Sequence, residues 1–140
     1  MIQMSVMVGF LVTTKPEAAL KFYTEVLGFR LLSDDVFALA FDAHGAMLRV
    51  GKAEKFTPAP NTVLGWEVED ISLAVTELEE SGVTFERYAS MKADEQGIFQ
   101  FPNGDKVAWF KDPEGNVLSI SQHVIGIQTG NQKIRAGMTT

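Results

Sequence analysis

Residues 12–29 read "VTTKPEAALKFYTEVLGF". Thr14-Lys15-Pro16-Glu17 has the capping-box form, a hydroxyl followed three residues later by Glu, so a helix is expected to start at Lys15. Its apolar residues Ala19, Phe22, Tyr23, Val26 and Leu27 recur at spacings of three and four, and Gly28 offers the left-handed stop that ends a helix. The same element returns in residues 64–85, "LGWEVEDISLAVTELEESGVTF". There Asp70 is the expected cap, Ile71, Ala74, Val75 and Leu78 form the apolar face, Gly82 is the stop, and Glu77, Glu79 and Glu80 face water.

Each helix follows an apolar strand candidate, 6–12 and then 62–68. Each precedes further candidates: 29–32, 36–41 and 46–50 in the first half, then 83–88, 98–101, 107–111 and 116–121 in the second. The unit is therefore β-α-β-β-β, used twice. Asn103-Gly104 suits a two-residue hairpin, and Asp112-Pro113-Glu114-Gly115 places Pro and Gly where a type I turn wants them, with His44-Gly45 at the matching place in the first half. Between the halves "KAEKFTPAPN" (52–61) carries two prolines and no periodicity, as a surface linker does. The expected organisation is one domain, 1–125, with module one at 6–51, the linker at 52–61 and module two at 62–122, followed by a polar, mobile tail, 126–140. The second half also carries an extra loop, 89–97, and long loops often cover sites.

The chain has 140 residues, 46% of them hydrophobic, enough for one compact core. No apolar run approaches the roughly 20 residues that span a bilayer, and the start lacks the basic region of a secretory signal, so a soluble, cytoplasmic protein is expected. Zero cysteines exclude disulfides, thiolate nucleophiles and cysteine-ligated metal. A net charge of -6 with scattered Lys and Arg disfavours nucleic acid and anionic membranes as partners.

The two helix segments, together with "VAWFKDPEGNVLSISQ" (107–122), resemble the vicinal oxygen chelate superfamily of glyoxalases, bleomycin-resistance proteins and extradiol dioxygenases. The resemblance covers residues 6 to 122. It implies an α+β fold in which two tandem βαβββ modules make a cup-shaped, mostly antiparallel mixed sheet with helices outside. It also implies a homodimer, the cup closing within one chain or across the dimer. In metal-using members it implies a divalent ion held by His and Glu; carried onto this chain, those positions fall on Met7, Arg49, Val63 and Ser119. A thioether, a guanidinium, an isopropyl group and a neutral hydroxyl do not make a site for a hard divalent ion, so no metal and no cofactor are expected.

Alternation along strands gives the face expected to line the cup: Met7, Gly9 and Leu11; Met47 and Arg49; Val63, Gly65 and Glu67; Val117, Ser119 and Ser121. Phe99, Phe101 and Trp109 are further candidates for ligand contact, or else core, as Phe37, Phe41 and Trp66 are expected to be. Arg49 is placed either to grip a carboxylate or to pair with Glu67. Glu67 is the one candidate for proton transfer, Ser119 reads as a polar contact or a space-filler, and His44 and His123 read as solvated. Tyr88, Asp94 and Glu95 are loop candidates with solvation as their default. The chain thus reads as a metal-free small-molecule-binding protein, antibiotic-resistance-like, holding an apolar or aromatic ligand that can carry negative charge. The alternatives are a glyoxalase-type lyase or isomerase or a dioxygenase, either metal-dependent in another register or metal-independent through Glu67 and Arg49.

Overall fold

The computed structural model describes residues 1–125, and the expected tail, 126–140, lies outside them. Contacts divide the described chain into two compact units, one of residues 1–63 with 112–117, the other of 64–111 with 118–125. Two open four-stranded sheets, each with a helical segment, give the expected α+β class and the expected repeat of one module.

In the first unit, β1 (Val8–Thr13) leads into α1 (Pro16–Lys21), then β2 (Arg30–Asp34), β3 (Ala38–Ala43) and β4 (Ala46–Lys52). The sheet order is β1-β4-β3-β2, with β1 parallel to β4 and the other pairs antiparallel. One face is core: Leu11, Leu39, Phe41, Leu48 and Val50 are buried together with Ala19 and Tyr23 of the helical segment, and the Tyr23 and Phe41 rings lie 5.5 Å apart. Phe37, expected in the core, is 72% exposed because it precedes β3 instead of lying within it.

The first helix departs from its expected cap. Lys15 is the N-cap, with Pro16 at N1, where its missing N–H costs nothing. Thr13 Oγ1 accepts from the Lys15 amide at 3.0 Å, while the Thr14 amide and hydroxyl both donate to Glu114, 100 positions away. After Lys21 the coil widens over Phe22–Val26, and Leu27 N–H reaches Phe22 O, a five-residue closure. Thr24 contributes by bonding back to Leu20 O at 2.6 Å. Gly28, at φ 77°, then lets Phe29 N–H close onto Tyr23 O, the left-handed stop expected from the sequence.

In the second unit, β5 (Thr62–Glu67) leads into α2 (Ile71–Glu80), then β6 (Phe99–Gln100), β7 (Lys106–Lys111) and β8 (Val117–Gln122), in the order β5-β8-β7-β6. Asp70 caps α2 as expected, accepting from Leu73 N–H at 3.1 Å. Ile71 and Val75 of α2 are buried along with Phe85, Ala108 and Phe110. The strand expected over 83–88 is reduced to one bridge, Glu86 to Trp109, because Tyr88 O closes a local turn with Met91 N–H. The turn at Asn103-Gly104 is one residue longer than expected. Phe101 N–H pairs with Asp105 O, and Gly104, at φ 99°, takes the left-handed third place of the loop.

Candidate functional site

The register of the first sheet corrects the sequence reading of β1. Val8 lies beside Met47 and Phe10 beside Arg49, so Val8, Phe10, Met47 and Arg49 share one face. Gly9 and Leu11 lie beside Leu48 and Val50 on the core face instead. Met7 precedes the strand and is exposed. A shift of one residue in parity reverses every side chain, and the apolar start of the chain hid where β1 begins. Ala40 completes the Arg49 neighbourhood from β3, and the Arg49 charge helps hold the Asp35 carboxyl below its ordinary range, after the Ala38 and Phe37 amides that bond it. This face is open, since Phe10 is 69% exposed and Val8 and Met47 are exposed too, and the same pairing puts Asp42 and Arg30 on it beside Met47.

In the second sheet the expected face holds together. A Cβ built on Gly65 would meet Ser119 Oγ at 2.4 Å, so glycine is required there and the Ser119 hydroxyl fills the space above it. Asp112 N–H bonds Asn116 O across the β7–β8 turn, and counting back from that pair sets Trp109 opposite Ser119. Phe99 lies beside Val107, two residues from Trp109, and so shares their face. The rings run on from there: Tyr88 on Trp109 at 5.5 Å, Trp109 to Phe99 at 6.5 Å, Phe99 on Phe101 at 4.9 Å. Phe101 is 39% exposed, and Phe99, Trp109 and Tyr88 are half-buried, a graded aromatic strip. Val63 alternates with Gly65 along β5 and is exposed.

Glu67 and His123 were separate in the sequence reading and are joined here. Glu67 Oε1 contacts His123 Nδ1 at 2.5 Å, and Oε2 accepts the His123 amide at 3.0 Å. The carboxylate side chain is 13% exposed and the imidazole 42%, so the acid lies behind the ring. His123 is thus not simply solvated. Its signal was available, since alternation through Val117, Ser119 and Ser121 arrives at His123 on the same face. His123 also lines a cleft of about 250 Å³ with Asn103, Asp105, Val124 and Ile125. Asp105 is held below the usual carboxylate range by the Val124 amide first, then by Asn103, with the nearby His123 charge adding to it.

The loop at 89–97 is tied down. Arg87 donates to the carbonyls of Asp94 and Glu95 at 2.7 and 2.5 Å, and Asp94 Oδ1 accepts from the Gln96 and Ile98 amides. Asp94 therefore organises its own loop, whereas Tyr88 contributes a ring to the aromatic strip.

The metal site implied by the resemblance does not fit these residues. Ser119 Oγ is committed to the space over Gly65, and β1 offers Val8 and Phe10 beside Met47 and Arg49, none of them a ligand for a hard ion. Among the described residues no three His, Cys, Asp or Glu side chains gather as a metal site, and no helix is long and apolar enough to cross a membrane.

Several solved structures share the fold. The lactoylglutathione lyase of Agrobacterium tumefaciens is 17% identical with a TM-score of 0.66, over 85% of this chain and 93% of that one. A glyoxalase/bleomycin resistance protein/dioxygenase superfamily member from Sphaerobacter thermophilus is 22% identical at 0.66, over 88% and 100%. TnmS3, an antibiotic binding protein from Streptomyces sp. CB03234, is 26% identical at 0.65, over 84% and 94%. No curated protein matches the chain. Residues 5–120 match the model of the glyoxalase/bleomycin resistance protein/dioxygenase superfamily, and to that superfamily the chain belongs.

Proposed function

We propose that this chain is a metal-free small-molecule-binding protein that takes up apolar or aromatic compounds. The observation that carries the reading is the partly exposed aromatic strip Tyr88–Trp109–Phe99–Phe101 on the sheet face that also holds the buried Ser119. Half-exposed rings accept a flat ligand by aromatic contact and by burial of apolar area. The 26% identity to an antibiotic binding protein supports a drug-like, sequestered ligand. On the first sheet, Arg49 and Met47 are a separate group of contacts in this reading, Arg49 for a carboxylate and the methionine for adaptable packing. We place the protein in the cytoplasm as a homodimer. The exposed apolar start of the chain (Met1, Ile2, Met4, Val6, Met7) runs into edge strand β1, and such an edge favours a second copy.

Tryptophan fluorescence tests the binding. Titration with a panel of uncharged and anionic polycyclic aromatics is expected to give saturable quenching, and Trp109→Ala is expected to weaken the best ligand at least about tenfold, as loss of a buried aromatic anchor does. Saturable quenching that survives unchanged in Trp109→Ala, or no quenching across the panel, overturns the reading. Mass measured in solution tests the dimer.

A further inference from the structure

We propose that Glu67 and His123 form a general-base dyad that activates water against a small uncharged ester seated in the cleft between His123 and the 101–105 turn. This goes beyond ligand binding and does not depend on the aromatic strip. The arrangement is that of a base oriented from behind. Both Glu67 oxygens are engaged by the same residue, Oε2 by the His123 amide and Oε1 by ring Nδ1, so the ring's rotation and tautomer are set and Nε2 is left as the basic nitrogen. The exposure difference, 13% for the acid and 42% for the imidazole, puts the ring on the solvent side of the acid.

The cleft selects the substrate. Val124 and Ile125 offer hydrocarbon, and a volume of about 250 Å³ suits a small molecule with a water beside it. The ionised Asp105 shares the cleft with His123, so among the described residues Glu67 and Asp105 are the charged groups that face the imidazole, one from β5 and one from the turn. Two carboxylates disfavour an anion in the ground state and favour the imidazolium that forms on reaction. Asn103 Nδ2 spends one hydrogen on Asp105 Oδ2 at 3.0 Å and has a second to offer an ester oxygen as it gains charge.

The step balances without a co-reactant. Nε2 takes a proton from water as the water oxygen bonds the ester carbon, and the carbonyl pair moves onto oxygen. When the pair returns, the bond from carbon to the alcohol oxygen breaks and the imidazolium gives its proton to that oxygen. The products are an alcohol and a carboxylic acid, which releases its proton to solvent, and the resulting carboxylate is repelled from the cleft by Asp105.

The test is hydrolysis of 4-nitrophenyl acetate by the full chain, with His44 as internal control. His123→Gln is expected to lower kcat/KM about a hundredfold, the size of a general-base contribution, and His44→Gln to leave it unchanged. Glu67→Gln, acting through His123, should lower kcat with little change in KM, and Glu67→Asp should restore part of the loss. In the unmodified protein, 4-nitrophenol should shift the ring resonances of His123 and not those of His44. Equal rates for the parent and His123→Gln, equal losses in both His variants, a kcat in Glu67→Gln equal to the parent's, or a shift at His44 alone overturns the proposal.

Discussion

The two modules close with the same device, a hairpin between their last two strands with an aspartate near its start, and they use it in opposite ways. In the first, His44 and Gly45 make a two-residue turn with positive φ at both positions, 55° and 91°, and Asp42 beside it is half-buried. Asp42 Oδ1 accepts the Gly45 amide at 2.8 Å, and Oδ2 pairs with Arg30 at 3.1 Å. In the second, Asp112 is 6% exposed and Asn116 is 2% exposed. Asp112 Oδ1 accepts the Glu114 and Asn116 amides, and Oδ2 accepts the Asn116 side chain and the Tyr23 hydroxyl at 2.7 Å. Identical local chemistry serves a surface turn in one place and a buried anchor in the other. What separates them is whether something arrives to cover the turn, and at Asp112 it is the Tyr23 ring and the end of β1.

Asp112→Ala should break this contrast most severely. It removes the acceptor for four donors, and an orphaned buried group costs more than a made bond returns. A loss of about 3 kcal/mol is expected by urea denaturation, the upper end of what one orphaned buried polar group costs. A loss no larger than that of Asp42→Ala would mean that burial adds nothing to this turn.

The fold was legible because its signals are local: helical spacing in 12–29 and 64–85, and turn residues at 44–45 and 112–115. The parts misread are those where a distant residue intervenes. Thr14 has the cap sequence, yet its hydroxyl is taken by Glu114, a partner that no window around Thr14 contains. Met7 was placed on a face by counting back from the helix; the count failed by one, and the strand pairing that corrects it to Val8 is a contact 39 positions away, Val8 with Met47. In the candidate site, alternation put Glu67 and Ser119 on one face, since a strand's parity is written in its sequence, whereas the face of Phe99 and Trp109 stayed open until strand pairing set it. His123 was missed because β8 was expected to end at Ser121, although two more residues of alternation would have reached it.

Tyr23→Phe sharpens the comparison with a smaller effect. One hydroxyl is lost while Asp112 keeps its other three donors, so about 1–2 kcal/mol is expected at neutral pH. The phenol is pushed well above its ordinary value by burial first, then by the Asp112 charge and hydrogen bond. A folded-state value raised in this way gives stability that is full below the unfolded phenol's range, near about 10, and falls as pH rises beyond it. The parent protein should therefore lose stability between neutral pH and strong base more steeply than Tyr23→Phe, and equal slopes in denaturation series across that window would contradict a neutral, buried phenol.

Asp42→Asn is the gentlest probe and isolates charge, because the amide oxygen can still accept from Gly45. The Gly45 amide chiefly, and Arg30 and His44 after it, hold the Asp42 carboxyl below the ordinary carboxylate range. A depressed folded-state value gives stability that is present above the unfolded value, near about 4, and is lost as pH falls through the folded one. The difference in melting temperature between the parent and Asp42→Asn should then be small at neutral pH, where exposed pairs are screened, and should close on acidification below about 4. If the gap instead widens in acid, the aspartate acts there as a neutral hydrogen-bonding group, and the two turns are more alike than their burial implies.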